Sequence, residues 1–195
     1  MRIGVLGLQG AVKEHEESIL ACGAEAIIVK KAEDLESIDG IILPGGESTT
    51  MSRLLELYGM LQPLQTFIAS GKPTFGTCAG LILLAREVCG QESHIGKLDV
   101  VVARNSFGRQ VNSFETNIAI KGVAEKSPAV FIRAPHIVEV GSNVEILATY
   151  EKKIVMVREG QLLGCSFHPE LTNDRRITSY FLKMVKDSLA KTLNV

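Results

Sequence analysis

Apolar residues run almost without interruption over positions 3–8 and stop at Gln9-Gly10, the pattern of a buried strand. Over 12–22 the apolar positions Val12, Ile19 and Leu20 suit an amphipathic helix, and Gly23 ends it. The segments 24–29 and 40–43 read as two more strands. The second is apolar throughout, as strands covered on both faces are. Pro44-Gly45-Gly46-Glu47-Ser48 then breaks the chain. Helical spacing returns over 49–58 and 60–70, with Gly59 between and Gly71 closing. Residues 73–76 predict a fourth strand that passes through Gly76-Thr77-Cys78-Ala79-Gly80 into an apolar helix.

Beyond Gly90 the rhythm changes. Short strand-like runs over 98–103, 114–120, 130–133, 144–150, 153–158 and 161–167 are separated by turn residues, with Glu159-Gly160 as a hairpin turn. A helix over 175–193 closes the chain. The pattern predicts an α/β fold in three layers. A mostly parallel central sheet has helices on both faces, and antiparallel strands lie in the C-terminal half. With no internal repeat, low-complexity tract or linker, residues 1–195 are expected to form a single domain.

Composition narrows the function. A net charge of −1 gives no electrostatic case for nucleic acid. The four cysteines, Cys22, Cys78, Cys89 and Cys165, form no Cys-x-x-Cys pair, and the histidines lack metal-ligand spacing, so no metal is expected. The first apolar run is too short for a signal peptide and no stretch approaches a membrane span. The expectation is a cytoplasmic protein. Glu14, Glu16 and Glu17 read as a solvated helix face interrupted by His15.

The elbow at Cys78 carries the candidate chemistry. Gly76 and Gly80 flank it because a Cβ at either place would crowd neighbouring backbone. Such a turn lifts the side chain out of the sheet to a helix N-terminus, where amide dipoles favour an anion. A free cysteine is only a few per cent thiolate at neutral pH. A histidine partner and a helix N-terminus can lower its pKa to about 3.5–7.5. Phe167-His168-Pro169-Glu170 offers that partner. In an extended segment His168 and Glu170 share a side, so the carboxylate orients the imidazole. Gly45 and Gly46 let the backbone aim amides at a developing oxyanion, and the Ala79 amide supplies a second donor.

Gly76-Thr77-Cys78-Ala79-Gly80 with the later His168-Pro169-Glu170 resembles the class I (triad) glutamine amidotransferases, which implies a flavodoxin-like fold. Within them the chain is similar to the glutaminase subunits of pyridoxal 5′-phosphate synthases. The narrower likeness rests on Gly4-Val5-Leu6-Gly7-Leu8-Gln9-Gly10, Leu43-Pro44-Gly45-Gly46-Glu47-Ser48-Thr49-Thr50, Arg104-Asn105-Ser106-Phe107-Gly108-Arg109-Gln110, Phe131-Ile132-Arg133-Ala134-Pro135-His136 and Cys165-Ser166-Phe167-His168-Pro169-Glu170-Leu171. It implies Cys78 as nucleophile, His168 as general base and acid, and Glu170 as its orienter. L-glutamine would be held by Gly46, Glu47 and Ser48, by Arg104, and by Ile132 and Arg133. No cofactor is implied. The implied partner is a (β/α)₈-barrel synthase subunit in a large hetero-oligomer, with the first helix and the Gln9-Gly10 loop as candidate docking surface. Two other readings use the same residues: a cysteine peptidase or γ-glutamyl hydrolase on this scaffold, and a non-catalytic glutamine-sensing module. An intact Cys78, His168 and Glu170 set argues against the second.

Overall fold

The computed structural model describes residues 1–105 and 113–192. Ser106 to Gln110, part of the motif that begins at Arg104, lie outside the described residues, as does Leu193. The first half alternates as expected: β1 (Arg2–Leu6), α1 (Val12–Ala21), β2 (Glu25–Val29), β3 (Gly40–Leu43), α2 (Ser48–Leu57), α3 (Leu61–Ala69), β4 (Thr74–Thr77) and α4 (Ala79–Leu84). A 3-10 turn over Ala32–Ser37, which the apolar pattern does not signal, joins β2 to β3. The second half holds β5 (Ala85–Val88), β6 (Leu98–Ala103), β7 (Ser113–Ile120), β8 (Ala124–Ile132), β9 (His136–Val140), β10 (Glu145–Tyr150), β11 (Lys153–Glu159) and β12 (Leu162–Cys165). A 3-10 turn, Pro169–Leu171, and α5 (Arg176–Thr192) follow.

Among the described residues the main sheet has ten strands, in the order β2-β1-β3-β4-β12-β11-β9-β6-β5, with β10 paired to β11. The run from β2 to β12 is parallel. β11 pairs antiparallel with β12, β9 and β10. β7 and β8 form a separate antiparallel pair.

The period of two sorts each strand between two cores. Ile41 and Leu43 pack with Met51, Leu55 and Leu64 of α2 and α3 and with Leu81 of α4. Ile42 faces the other way, with Ile19 of α1 and Ile177 and Phe181 of α5. Helices therefore cover both faces. Phe181 is wholly buried, its ring centroid 5.6 Å from that of Phe75. Truncating such a side chain costs about 3–5 kcal/mol.

Three local expectations change. The helix after Cys78 stops at Leu84, and the chain continues as strand β5. Only Ala85 and Val88 of that strand are buried while Arg86 and Glu87 face out, so its apolar signal is brief. β9 was not foreseen, because of its residues only Ile137 is buried. Glu17 is exposed and Glu14 and Glu16 are half-buried, but His15 is buried and Leu20 is exposed. The buried stripe of α1 is His15, Ser18 and Ile19.

Because β1, β3, β4 and β12 are parallel neighbours, their C-terminal ends lie together. The loops that follow carry Gln9-Gly10, Gly45-Gly46, Cys78 and His168. The crevice beyond the carboxyl ends of parallel strands is where α/β folds place ligand sites.

Candidate active site

Cys78 occupies the bend between β4 and α4 with φ 49° and ψ −102°. A side chain there costs about 1–3 kcal/mol of backbone strain and persists only where its surroundings impose it. They do so here. The Cys78 N–H donates to the Cys165 carbonyl at 2.8 Å, and its own carbonyl accepts from the Ile82 N–H at 3.2 Å. Gly76 and Gly80 interlock beneath: a Cβ on Gly76 would stand 2.5 Å from the Gly80 carbonyl carbon, and one on Gly80 would strike the Leu43 carbonyl. The expected crowding at both glycines is therefore present.

His168 follows β12, and its N–H donates to the Val130 carbonyl of β8 at 2.8 Å. Its Nδ1 lies 2.7 Å from Oε1 of Glu170, which is buried. The segment is not extended throughout as its sequence suggests. Pro169–Leu171 forms a 3-10 turn, and the pair meets across the start of that turn. The imidazole packs on Gly45, where a Cβ would collide with the ring. Burial disfavours the charged form of His168. Hydrogen bonds with Cys78 and with Glu170 more than offset this and raise its pKa to about 10. Burial likewise works against the Glu170 carboxylate, but His15 and His168 beside it hold its pKa below the ordinary value. The Cys78 thiol also lies 4.0 Å from the Ile132 carbonyl.

The Gly45-Gly46 loop is held by its neighbours. The Ala11 N–H donates to the Gly45 carbonyl at 2.9 Å, and the Glu47 N–H to Gln9 Oε1 at 2.9 Å. A Cβ on Gly46 would run into Gln9 Oε1, so a larger residue would displace the side chain that holds the Glu47 amide. The Glu47 carboxylate caps α2 by accepting from the Thr49 and Thr50 amides at 3.1 and 2.7 Å. It also takes the Arg104 guanidinium at 3.1 Å. Partial desolvation opposes its charge, yet the Thr50 and Thr49 hydrogen bonds and Arg104 lower its pKa to about 2. Arg104 is held further by Gln91 at 3.0 Å.

These groups enclose a cleft of about 480 Å³. Gly45, Gly46, Glu47, Ser48, Cys78, Ala79, Arg104, Ile132, Arg133 and His168 all line it. Of the site residues expected from sequence, only Glu170 does not; it stands behind His168. Among the described residues nothing partners the buried Ser48 hydroxyl, and Arg133 adopts φ 43°. Gln9, Ile82, Asn105 and Leu171 also line the cleft without having been assigned to it. A wider hollow of about 660 Å³ at the turn between β7 and β8 carries no cysteine or histidine.

His15 was missed altogether. From α1 its Nε2 comes within 3.1 Å of Thr77 Oγ1 and 3.5 Å of Glu170 Oε2. A histidine among glutamates reads as solvated, and its partner lies 155 positions away, so nothing local marks it.

A model of the SNO glutamine amidotransferase family matches residues 5–187. The chain is 65% identical to the pyridoxal 5′-phosphate synthase subunit PdxT of Geobacillus sp. (strain WCH70), over 97% of this chain and all of that protein. It is 63% identical to the protein of the same name from Geobacillus thermodenitrificans (strain NG80-2), over 100% and 99% of the two chains. Among solved structures, one described as a glutamine amidotransferase superposes with a TM-score of 0.90 at 44% identity, covering 94% of this chain and 98% of the other. None of these three carries a peptidase or γ-glutamyl hydrolase name.

Proposed function

The chain belongs to the SNO glutamine amidotransferase family, and we propose that it splits L-glutamine through Cys78, His168 and Glu170. It is a glutamine amidotransferase whose ammonia serves pyridoxal 5′-phosphate synthesis, in concert with a partner synthase subunit. The observation that carries the residue assignment is one buried imidazole bridging two groups. His168 meets the Glu170 carboxylate at 2.7 Å and lines the same cleft wall as Cys78, whose sulfur helps to raise the His168 pKa.

The steps follow from that geometry. The Cys78 thiol passes its proton to His168 as the sulfur attacks the side-chain amide carbon of glutamine. Negative charge on the carbonyl oxygen is taken by backbone amides at Gly45, Gly46 and Ala79, each donor supplying about 2.7–4 kcal/mol of the barrier lowering. The C–N bond breaks as His168 gives its proton to the departing nitrogen. A histidine that keeps its proton up to about pH 10 has that proton to hand at neutral pH. Water, deprotonated by His168, then opens the thioester. As the C–S bond breaks the sulfur takes back the proton that His168 drew from water, leaving ammonia and glutamate as products.

Glutamine is a zwitterion, and the rim suits its ends. Arg104 or Arg133 can take the α-carboxylate through charge-assisted hydrogen bonds. Glu47 and Ser48 line the same space, and Gly46 and Ile132 offer backbone groups. We read residues 1–195 as one glutaminase domain built on the main sheet. The partner is read as a (β/α)₈ barrel in a large hetero-oligomer, docking at the Gln9-Gly10 loop and the outer face of α1. That loop touches the Gly45-Gly46 backbone, which links docking to the oxyanion donors. Among the described residues no helix is long and apolar enough to cross a membrane. All four cysteines are free, which supports a reducing, cytoplasmic setting.

The test is Cys78→Ala assayed for glutamate release with the synthase partner present. The expected loss is on the order of 10⁴-fold or more, with glutamine still bound. Turnover within about tenfold of the unmodified chain would remove the nucleophile assignment.

A further inference from the structure

The Glu170 side chain is sealed from solvent and has two oxygens to satisfy. Oε1 accepts from His168 at 2.7 Å. Among the described residues Oε2 has no hydrogen-bond partner within ordinary range. A buried carboxylate oxygen left so is costly, because desolvation of a charged group is repaid only by donors. His15 Nε2 stands 3.5 Å from it, short of a hydrogen bond. Thr77 Oγ1 holds the same nitrogen at 3.1 Å.

We propose that His15 is a positioning residue for the reaction: its Nε2–H, steadied by Thr77, donates to Glu170 Oε2 and fixes the carboxylate that orients His168. The inference rests on the triad reading above and extends it by one residue. The alternative tautomer would turn the lone pair of Nε2 toward a buried carboxylate oxygen, a repulsive contact, so Glu170 selects the donor form. Burial keeps the His15 ring neutral, and the Glu170 carboxylate beside it only partly counters that. A neutral ring has one N–H to give, and the geometry places Glu170 and Thr77 in front of it. The charged or titratable groups around His15 are Glu170, His168 and, on its own helix, Glu14. A shift of a few tenths of an ångström would turn the contact into a full hydrogen bond.

The arrangement predicts a split that a purely structural histidine would not give. In His15→Leu, kcat falls about tenfold or more, the effect of losing one hydrogen bond to a charged group. KM for glutamine stays within about twofold, since His15 does not line the cleft. The acid limb of the kcat/KM profile moves to higher pH, because Glu170 loses a donor that favours its ionised form. His15→Gln keeps an N–H near the place of Nε2 and restores both kcat and the acid limb. Should His15→Leu fail to fold, the pair His15→Gln and His15→Asn reads the same question, since asparagine is too short to reach Glu170. Gln above Asn, with the acid limb displaced only in Asn, supports the proposal. Equal activity and unmoved pH profiles in all variants would overturn it. Cys78→Ala run in parallel separates the two levels: if that chain turns over, the triad reading fails, whereas a dead Cys78→Ala beside unaffected His15 variants sinks only the role of His15.

Discussion

The two sides of the cleft are built on different physics. On one side Cys78, His168, Glu170 and His15 are all buried, and backbone hydrogen bonds tie down Cys78, His168 and His15. On the other, the Glu47–Arg104 pair is half exposed, joined at 3.1 Å across the cleft mouth. Low dielectric strengthens each contact in the first set and makes any unpaired member expensive. Solvent screens the second, and exposed ion pairs contribute at most about 1 kcal/mol. The contrast assigns labour: the buried side is pre-set for chemistry, and the rim can exchange partners to take a ligand's charges.

Substitutions can break this contrast. Gly45→Ala should be the most damaging change outside the triad, because the added methyl collides with the His168 ring. A displacement of about 1 Å in a catalytic group costs on the order of a hundredfold in rate. The expected result is a fall of that size in kcat with a folded protein by circular dichroism. A normal kcat would show that the ring can move without cost.

Arg104→Ala should act differently. It removes a charge from the rim and leaves the buried side untouched. KM for glutamine should rise about tenfold while kcat changes little. A loss confined to kcat would place Arg104 in the chemistry and erase the distinction between the two sides.

The smallest effects are on stability against pH, and they have opposite signs on the two sides. The folded pKa of His168 is raised to about 10 from 6.5. Its stabilisation is fully present below about pH 6.5 and is lost as pH rises through about 10. Glu47 is lowered to about 2 from 4.5, so its contribution is present above about pH 4.5 and is lost as pH falls toward 2. Urea midpoints should therefore fall less steeply on the alkaline side in His168→Asn. On the acid side, Glu47→Gln should flatten the profile slightly, given the exposure of that side chain. The reverse assignment of limbs would contradict the site electrostatics.

How much of this was legible in the sequence follows the range of the interactions. Gly76, Cys78 and Gly80 are largely a local statement, since they fall within five consecutive residues and Gly76 crowds Gly80 directly, though Gly80 also crowds the Leu43 carbonyl of β3. The early strands were legible for a like reason, their apolar runs being covered on both faces. The strands β5 and β9 escaped because each buries only one or two residues and relies on neighbours for its hydrogen bonds. The 3-10 turn at Pro169 was hidden because proline also suits extended chain. His15 was least legible. Its burial comes from the turn after β12 and the end of β4, and its flanking glutamates point the other way.

The claim on which the rest depends is that glutamine passes through a bond to Cys78. The direct measurement is acid quenching of the chain and its synthase partner during turnover, followed by mass spectrometry of the peptide that holds Cys78. The account predicts a γ-glutamyl thioester there, absent from Cys78→Ala and depleted in His168→Asn. Steady glutamate release with no adduct on that peptide, undiminished in Cys78→Ala, would contradict it.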